Sequence, residues 1–173
     1  MSVKIIYLNK TLNNSSSNLV LFSDDKFNVN RLKKSLSNSE FSYISDLLRT
    51  SDLKKKILVF ELSSKKKVIL VSIKNNLKTA DIESLGAEFY GRVNYGKNAE
   101  YFLNADSINS KYKNFVSYFL HGFKLKSYEF AKYKTKKQTR IISVKVFGNK
   151  NKPSTKDQQK FKALEEGTFF ARD

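Results

Sequence analysis

Short runs of β-branched and aromatic residues alternate along this chain with apolar residues spaced three and four apart, and a chain patterned in that way has to set a sheet against helices. Val3, Ile5 and Tyr7 alternate with Lys4 and Ile6, and Leu19, Val20, Leu21 and Phe22 form an apolar run. Two early strands follow, split by an Asn- and Ser-rich loop from Asn13 to Asn18. Val29, Leu32 and Leu36, then Phe41, Ile44, Leu47 and Leu48, predict two short helices broken near Ser37, Asn38 and Ser39. Lys56 to Leu62 and Lys67 to Ile73 read as two strands joined by Ser63, Ser64 and the intervening lysines, which makes them a hairpin.

Thr79 can cap a helix that carries Ile82, Leu85 and Phe89 on one face and ends near Tyr95 and Gly96. Tyr101, Phe102 and Leu103 predict the next strand. From Tyr112 a longer helix has Phe115, Val116, Phe119, Leu120 and Phe123 on a stripe broad enough to cover a sheet. Arg140 to Phe147 is the last strand. Thr155 and Gln158 form a capping box for a final helix bearing Phe161, Leu164 and Ala171, which runs to the end of the chain. The order of elements gives an α/β fold, a three-layer sandwich with a mixed central sheet between helices. It divides at the polar loop into 1–152 and a helical segment 153–173.

With 173 residues, 40% hydrophobic and 13% aromatic, the chain can bury a sizeable core. It has no cysteine, which excludes disulfide scaffolds, thiol catalysis and Cys-bound metal, and a single histidine excludes any site that needs two imidazoles. No stretch of about 18 apolar residues and no signal-peptide core occurs, so a cytoplasmic protein without a membrane partner is the default expectation.

The formal charge of +17 suggests an acidic partner. Of the 33 basic residues 28 are Lys, and the chain is also rich in Asn, Ser, Ile and Phe, a bias that AT-rich codon usage produces without selection for a polyanion. Both readings stay open. The charge is uneven: Leu53 to Lys67 contributes +5 and Lys124 to Lys162 contributes +11. Candidate nucleic-acid contacts are therefore Lys54, Lys55, Lys56, Lys65, Lys66, Lys67, Lys132, Lys134, Lys136, Lys137 and Arg140, acting as diffuse phosphate neutralisers, with Tyr128, Phe130 and Tyr133 as aromatics that can stack on bases or lie in the core.

Catalytic patterns are sparse. His121 can act as a general base, but its place between Leu120 and Gly122 on an apolar helix is that of a partly buried histidine. Asp24 and Asp25, and Glu165 and Glu166, are adjacent carboxylates that point in different directions, with no His or third carboxylate evident beside them to make a metal site. Gly86, Gly91 and Gly96 recur at fives without the frame of a phosphate loop, so helix packing or a turn accounts for them better. No Ser stands in a nucleophile elbow. Neither catalytic nor metal- or cofactor-binding residues can be named.

Two stretches are more specific. From Leu120-His121-Gly122-Phe123 through Tyr128-Glu129-Phe130-Ala131-Lys132-Tyr133-Lys134 the chain resembles the helix-to-linker passage of the leucyl aminopeptidases (cytosol aminopeptidases), where a Glu-Gly pair opens an apolar helix ending in Tyr-x-Phe-x-x-Tyr-Lys. Gly122, Tyr128, Phe130, Tyr133 and Lys134 match, and His121 stands where the family usually has Glu. Gly167-Thr168-Phe169-Phe170-Ala171-Arg172-Asp173 resembles the helix leading into that family's Ala-Arg-Asp-Leu-Val-Asn segment.

The resemblance implies a macro-domain-like N-terminal domain of an enzyme whose catalytic domain lies downstream. In that family a Lys, several Asp and a Glu of the C-terminal domain hold two divalent metals, zinc or manganese, which activate a water against the N-terminal peptide bond. The implied partners are the chain's own catalytic domain, further copies in a hexamer and, in some bacterial members, DNA. The implied role of this segment is noncatalytic, in assembly or regulation. A basic nucleic-acid-binding module is the competing expectation. An ADP-ribose-binding macro domain is a third, suggested by architecture alone and lacking both the glycine-rich phosphate loop and an adenine-contacting Asp near the first strand.

Overall fold

The computed structural model describes residues 3–9, 17–94, 99–109, 111–128 and 141–172. Six strands, β1 (Val3–Tyr7), β2 (Asn18–Asp24), β3 (Ile57–Glu61), β4 (Lys67–Ile73), β5 (Ala99–Asn104) and β6 (Ile142–Phe147), form one sheet in the order β1-β6-β5-β2-β4-β3. All neighbours are parallel except β3, which runs antiparallel to β4 along the edge. The expected hairpin is this β3/β4 pair. β4 lies inside the sheet and is apolar at nearly every position, because both of its faces are covered.

Four α-helices complete the fold: α1 (Asn38–Leu48), α2 (Thr79–Val93), α3 (Phe115–Lys126) and α4 (Thr155–Arg172). On one face Val20, Phe22, Ile69, Val71, Leu103, Val144 and Val146 pack under α2 and α3. On the other, Leu21, Leu58, Phe60, Val68 and Leu70 pack under α1 and a short 3-10 turn at Asn30–Ser35. The three-layer α/β architecture and the mixed sheet are as the sequence pattern predicts. α4 lies along the outer side of α3, with Phe161 against Tyr118 at a ring separation of 5.1 Å and Phe169 stacked on Tyr128 at 4.8 Å.

Helix starts differ from the expected ones in register. The break near Ser37 is real: Ser37 Oγ accepts the Glu40 N–H while the Glu40 carboxylate accepts the Ser37 N–H, a reciprocal cap on α1. Thr79 does not cap α2. It is the first helical residue, its hydroxyl is 2.6 Å from the Tyr112 hydroxyl, and the Asp81 carboxylate accepts the N–H of Lys78. Nor do Thr155 and Gln158 cap α4. Ser154 Oγ accepts the Asp157 N–H, and Gln158 donates its amide to the Pro153 carbonyl. α3 begins at Phe115 rather than Tyr112, because Asn114 adopts a left-handed conformation (φ 62°) that no helix can run through.

α2 and α3 approach each other closely through two glycines. A Cβ on Gly86 would stand 1.8 Å from the Phe119 carbonyl oxygen, and one on Gly122 would stand 1.9 Å from the Glu83 carbonyl oxygen. The two glycines face each other's helix backbone, and only hydrogen leaves room for the contact. Phe89 is thereby brought within 5.4 Å of Phe119 and 5.3 Å of Phe123, and Phe119 within 5.2 Å of Phe22 on the sheet. Gly91, on the exposed side of α2, has nothing within 4 Å of a Cβ position. Gly86 thus has the helix-packing role, and Gly96 lies outside the described residues.

Three alanine substitutions separate these roles in a denaturant titration. Gly86→Ala and Gly122→Ala should each destabilise the domain by about 1–3 kcal/mol or more, as steric overpacking does. Gly91→Ala should stabilise it by about 0.5–1 kcal/mol through helix propensity. Equal effects at all three positions would contradict the close helix contact.

Candidate functional site

Among the described residues, the basic residues singled out in sequence fall into two groups at opposite ends of β3. Lys54, Lys55 and Lys56 are exposed just before β3, whereas Lys65, Lys66 and Lys67 occupy the turn at the far end of that strand. Five residues of extended chain put roughly 17 Å between the two groups. Lys65 is exposed. Lys66 is buried, with its Nζ 2.5 Å from Glu40 Oε1, and Lys67 Nζ pairs with Glu61 Oε1 at 2.7 Å. Two of the six charges are therefore matched by carboxylates. Lys132, Lys134, Lys136, Lys137 and Arg140 lie outside the described residues, as do Phe130 and Tyr133. Tyr128 stacks on Phe169, and the Arg172 guanidinium sits 5.7 Å from its ring.

A second group of lysines was not singled out from sequence. Lys111, Lys113, Lys150 and Lys152 line a shallow cleft of about 410 Å³ at the start of α3. Asp106 shapes the loop beside it by accepting the N–H groups of Asn149, Lys150 and Asn151, and Gly148 at φ 133° lets the backbone turn against that carboxylate. Burial raises the Asp106 pKa, but the three backbone N–H groups and Lys150 outweigh it and hold the carboxyl below its ordinary value. Lys152 donates to the Leu8 carbonyl at 2.8 Å.

A cavity lies between β1, α3 and α4. It has a volume of about 470 Å³, with Ile5, Leu120 and Phe161 as apolar wall and Tyr7, Ser117, His121, Lys124 and Glu165 as polar groups. Ser117 and His121 are one turn apart on α3 and so share a face. His121 Nδ1 stands 3.5 Å from Glu165 Oε1, too far for a well-formed hydrogen bond, and both side chains are about nine-tenths buried. Among the described residues the buried side-chain polar atoms without a hydrogen-bond partner are Ser117 Oγ and His121 Nδ1, and both belong to this cleft. Burial first, and the Glu165 charge second, push the Tyr7 hydroxyl up to about 12, so it remains a neutral phenol across the physiological range.

His121 is the buried helix histidine expected from sequence, but the expectation that no histidine lies beside Glu165 is corrected. The docking of α4 on α3 brings the two together across 44 residues of chain, a juxtaposition invisible to local spacing. Glu166 points away, 3.9 Å from Lys162. At the other carboxylate pair, Asp24 Oδ1 accepts the N–H groups of Lys26 and Asn28 and so holds a turn. Among the described residues no three His, Cys, Asp or Glu side chains are grouped to hold a metal ion. No described helix is long and apolar enough to cross a membrane.

No protein-family model matches the sequence, and no curated protein matches it. Among solved structures, a mutant of tomato leucine aminopeptidase superposes with a TM-score of 0.63 over 95% of this chain, at 13% identity. At that identity the likeness shows the fold: an α/β domain of the kind that occurs within a leucine aminopeptidase. The chain spans 36% of the length of that aminopeptidase.

The Lys66–Glu40 pair gives a pH test. Burial raises the Glu40 pKa, but the Lys66 hydrogen bond, the Ser37 N–H and the Lys66 charge together bring it below the ordinary value. A lowered carboxyl pKa stabilises the fold above the ordinary range and loses that contribution as pH falls through the folded-state pKa. Glu40→Gln should therefore lower the urea midpoint at pH 7, and its gap to wild type should close as pH falls below about 4.5. A gap unchanged down to pH 3 would show that the pair is not its source.

Proposed function

We propose that this chain is the noncatalytic N-terminal domain of a metal-dependent leucyl aminopeptidase, with a role in assembly or regulation. The observation that carries the reading is the superposition of nearly the whole chain on about a third of a leucine aminopeptidase, which leaves most of that enzyme's length for a separate catalytic domain. The matches at Gly122 and Gly167–Arg172, which fall on α3 and α4, and at Tyr128 just beyond the end of α3 point the same way, because these are the segments that resemble the family's passage toward its catalytic half.

The outer side of α4 supports a covered role for that helix. Phe170 is 85% exposed, on the side of the helix opposite Phe161, and Leu164 at the flank is 48% exposed. A further domain or a neighbouring copy is the natural cover for such residues. In this reading peptide hydrolysis, with its two zinc or manganese ions, belongs to the downstream domain. The residues of this chain position that domain and the assembly rather than touching substrate.

Translating the natural reading frame past codon 173 tests the proposal. The expected result is a Leu-Val-Asn continuation followed by a domain bearing the Lys, Asp and Glu ligands of a two-metal site. A stop codon, or a following domain without those ligands, would overturn it.

A further inference from the structure

Glu165 presents a carboxylate that is nearly buried and accepts no hydrogen bond among the described residues, although burying such a group is costly unless it is paired. Beside it are the two orphaned atoms, Ser117 Oγ and His121 Nδ1. Buried polar atoms in folded proteins almost always have partners, and here the unmatched ones converge on one cavity. At about 470 Å³ that cavity far exceeds the roughly 30 Å³ of a single water and falls in the range of small-molecule sites.

The polar groups specify the occupant. The Glu165 carboxylate only accepts, Ser117 Oγ can accept and a ring nitrogen of His121 stands 3.5 Å from Glu165 Oε1, and a primary ammonium is a group of three donors with no acceptor. An anion in the same place would meet the Glu165 charge. The neighbouring wall of Ile5, Leu120 and Phe161 suits an aliphatic side chain, and Lys124, one turn beyond His121 on α3, supplies a cation at the half-buried rim for a carboxylate. We propose that the cleft between β1, α3 and α4 binds a free α-amino acid with an apolar side chain, its ammonium held by Glu165, Ser117 and His121 and its carboxylate facing Lys124.

The ligand class comes from the cleft's own donors and acceptors, so the proposal stands whether or not a catalytic domain follows the chain. His121 is the chain's single histidine, which makes its ring nitrogens an unambiguous reporter. Titrating the 173-residue protein with L-leucine and, separately, with 4-methylpentanoate, which lacks the amine, should give saturable shifts of the His121 ring 15N signals for leucine only. The expected Kd is about 1 mM or tighter, a modest value for a ligand of this size. Glu165→Gln should weaken leucine binding at least tenfold, and the exposed-site variant Lys54→Ala should leave it unchanged. Should Glu165→Gln fail to fold, the comparison of the two ligands on the wild-type protein decides by itself. Unmoved His121 signals up to about 20 mM leucine would mean that water alone fills the cleft, and equal binding of 4-methylpentanoate would remove the ammonium site. Either result overturns the proposal.

Discussion

The contact between α2 and α3 through Gly86 and Gly122 is the constraint on which the rest of this domain depends. Each glycine lies against the backbone of the opposite helix, so the helices approach until Phe89, Phe119 and Phe123 close over the sheet with Phe22 beneath them. α3 is consequently buried around most of its circumference, between α2 on one side, the sheet below and α4 on the other. A helix that is apolar nearly all round is stable only in such a position. The cleft exists because α4 docks on α3 with Phe161 and Phe169 while a space remains above Ile5 and Tyr7 of β1.

The acidic residues are outnumbered two to one, and many of those described are used inside the structure. Glu40 caps α1 and pairs with Lys66, Asp81 caps α2, Asp106 ties down the loop after β6, Asp157 accepts the Ser154 hydroxyl at the start of α4, and Asp24 holds a turn. Carboxylates suit these places because they accept several N–H groups at once. Among the described residues these carboxylates are engaged locally, while lysines such as Lys54, Lys55, Lys56 and Lys65 stay exposed. This division gives the lysine-rich composition a structural consequence without requiring that each lysine meet a ligand.

Much of the architecture was legible in the sequence, and the reason is local. β-branched runs marked β2, β3, β4 and β6, the serines and lysines between β3 and β4 marked the hairpin turn, and the Phe115 to Phe123 stripe marked α3. Helix starts slipped by one to three residues, because Ser154 and Thr155 are both competent caps and because left-handed geometry at Asn114 cannot be read from an asparagine alone. The candidate site was less legible. Lys66 sits in a lysine triplet that reads as solvated, yet its partner Glu40 comes from a helix 26 residues earlier. Likewise nothing near Glu165 in sequence announces His121. Such pairs are products of tertiary packing, and only the packing reveals them.

The proposal that this domain accompanies a two-metal aminopeptidase without contributing to its chemistry is tested by comparing two proteins on leucine amide in the presence of manganese or zinc. One is the 173-residue chain and the other is the full product of its natural gene. The account predicts metal-dependent release of leucine by the full product and none by the 173-residue chain. Hydrolysis by the chain alone, or an inactive full product that folds and retains its metals, would contradict it.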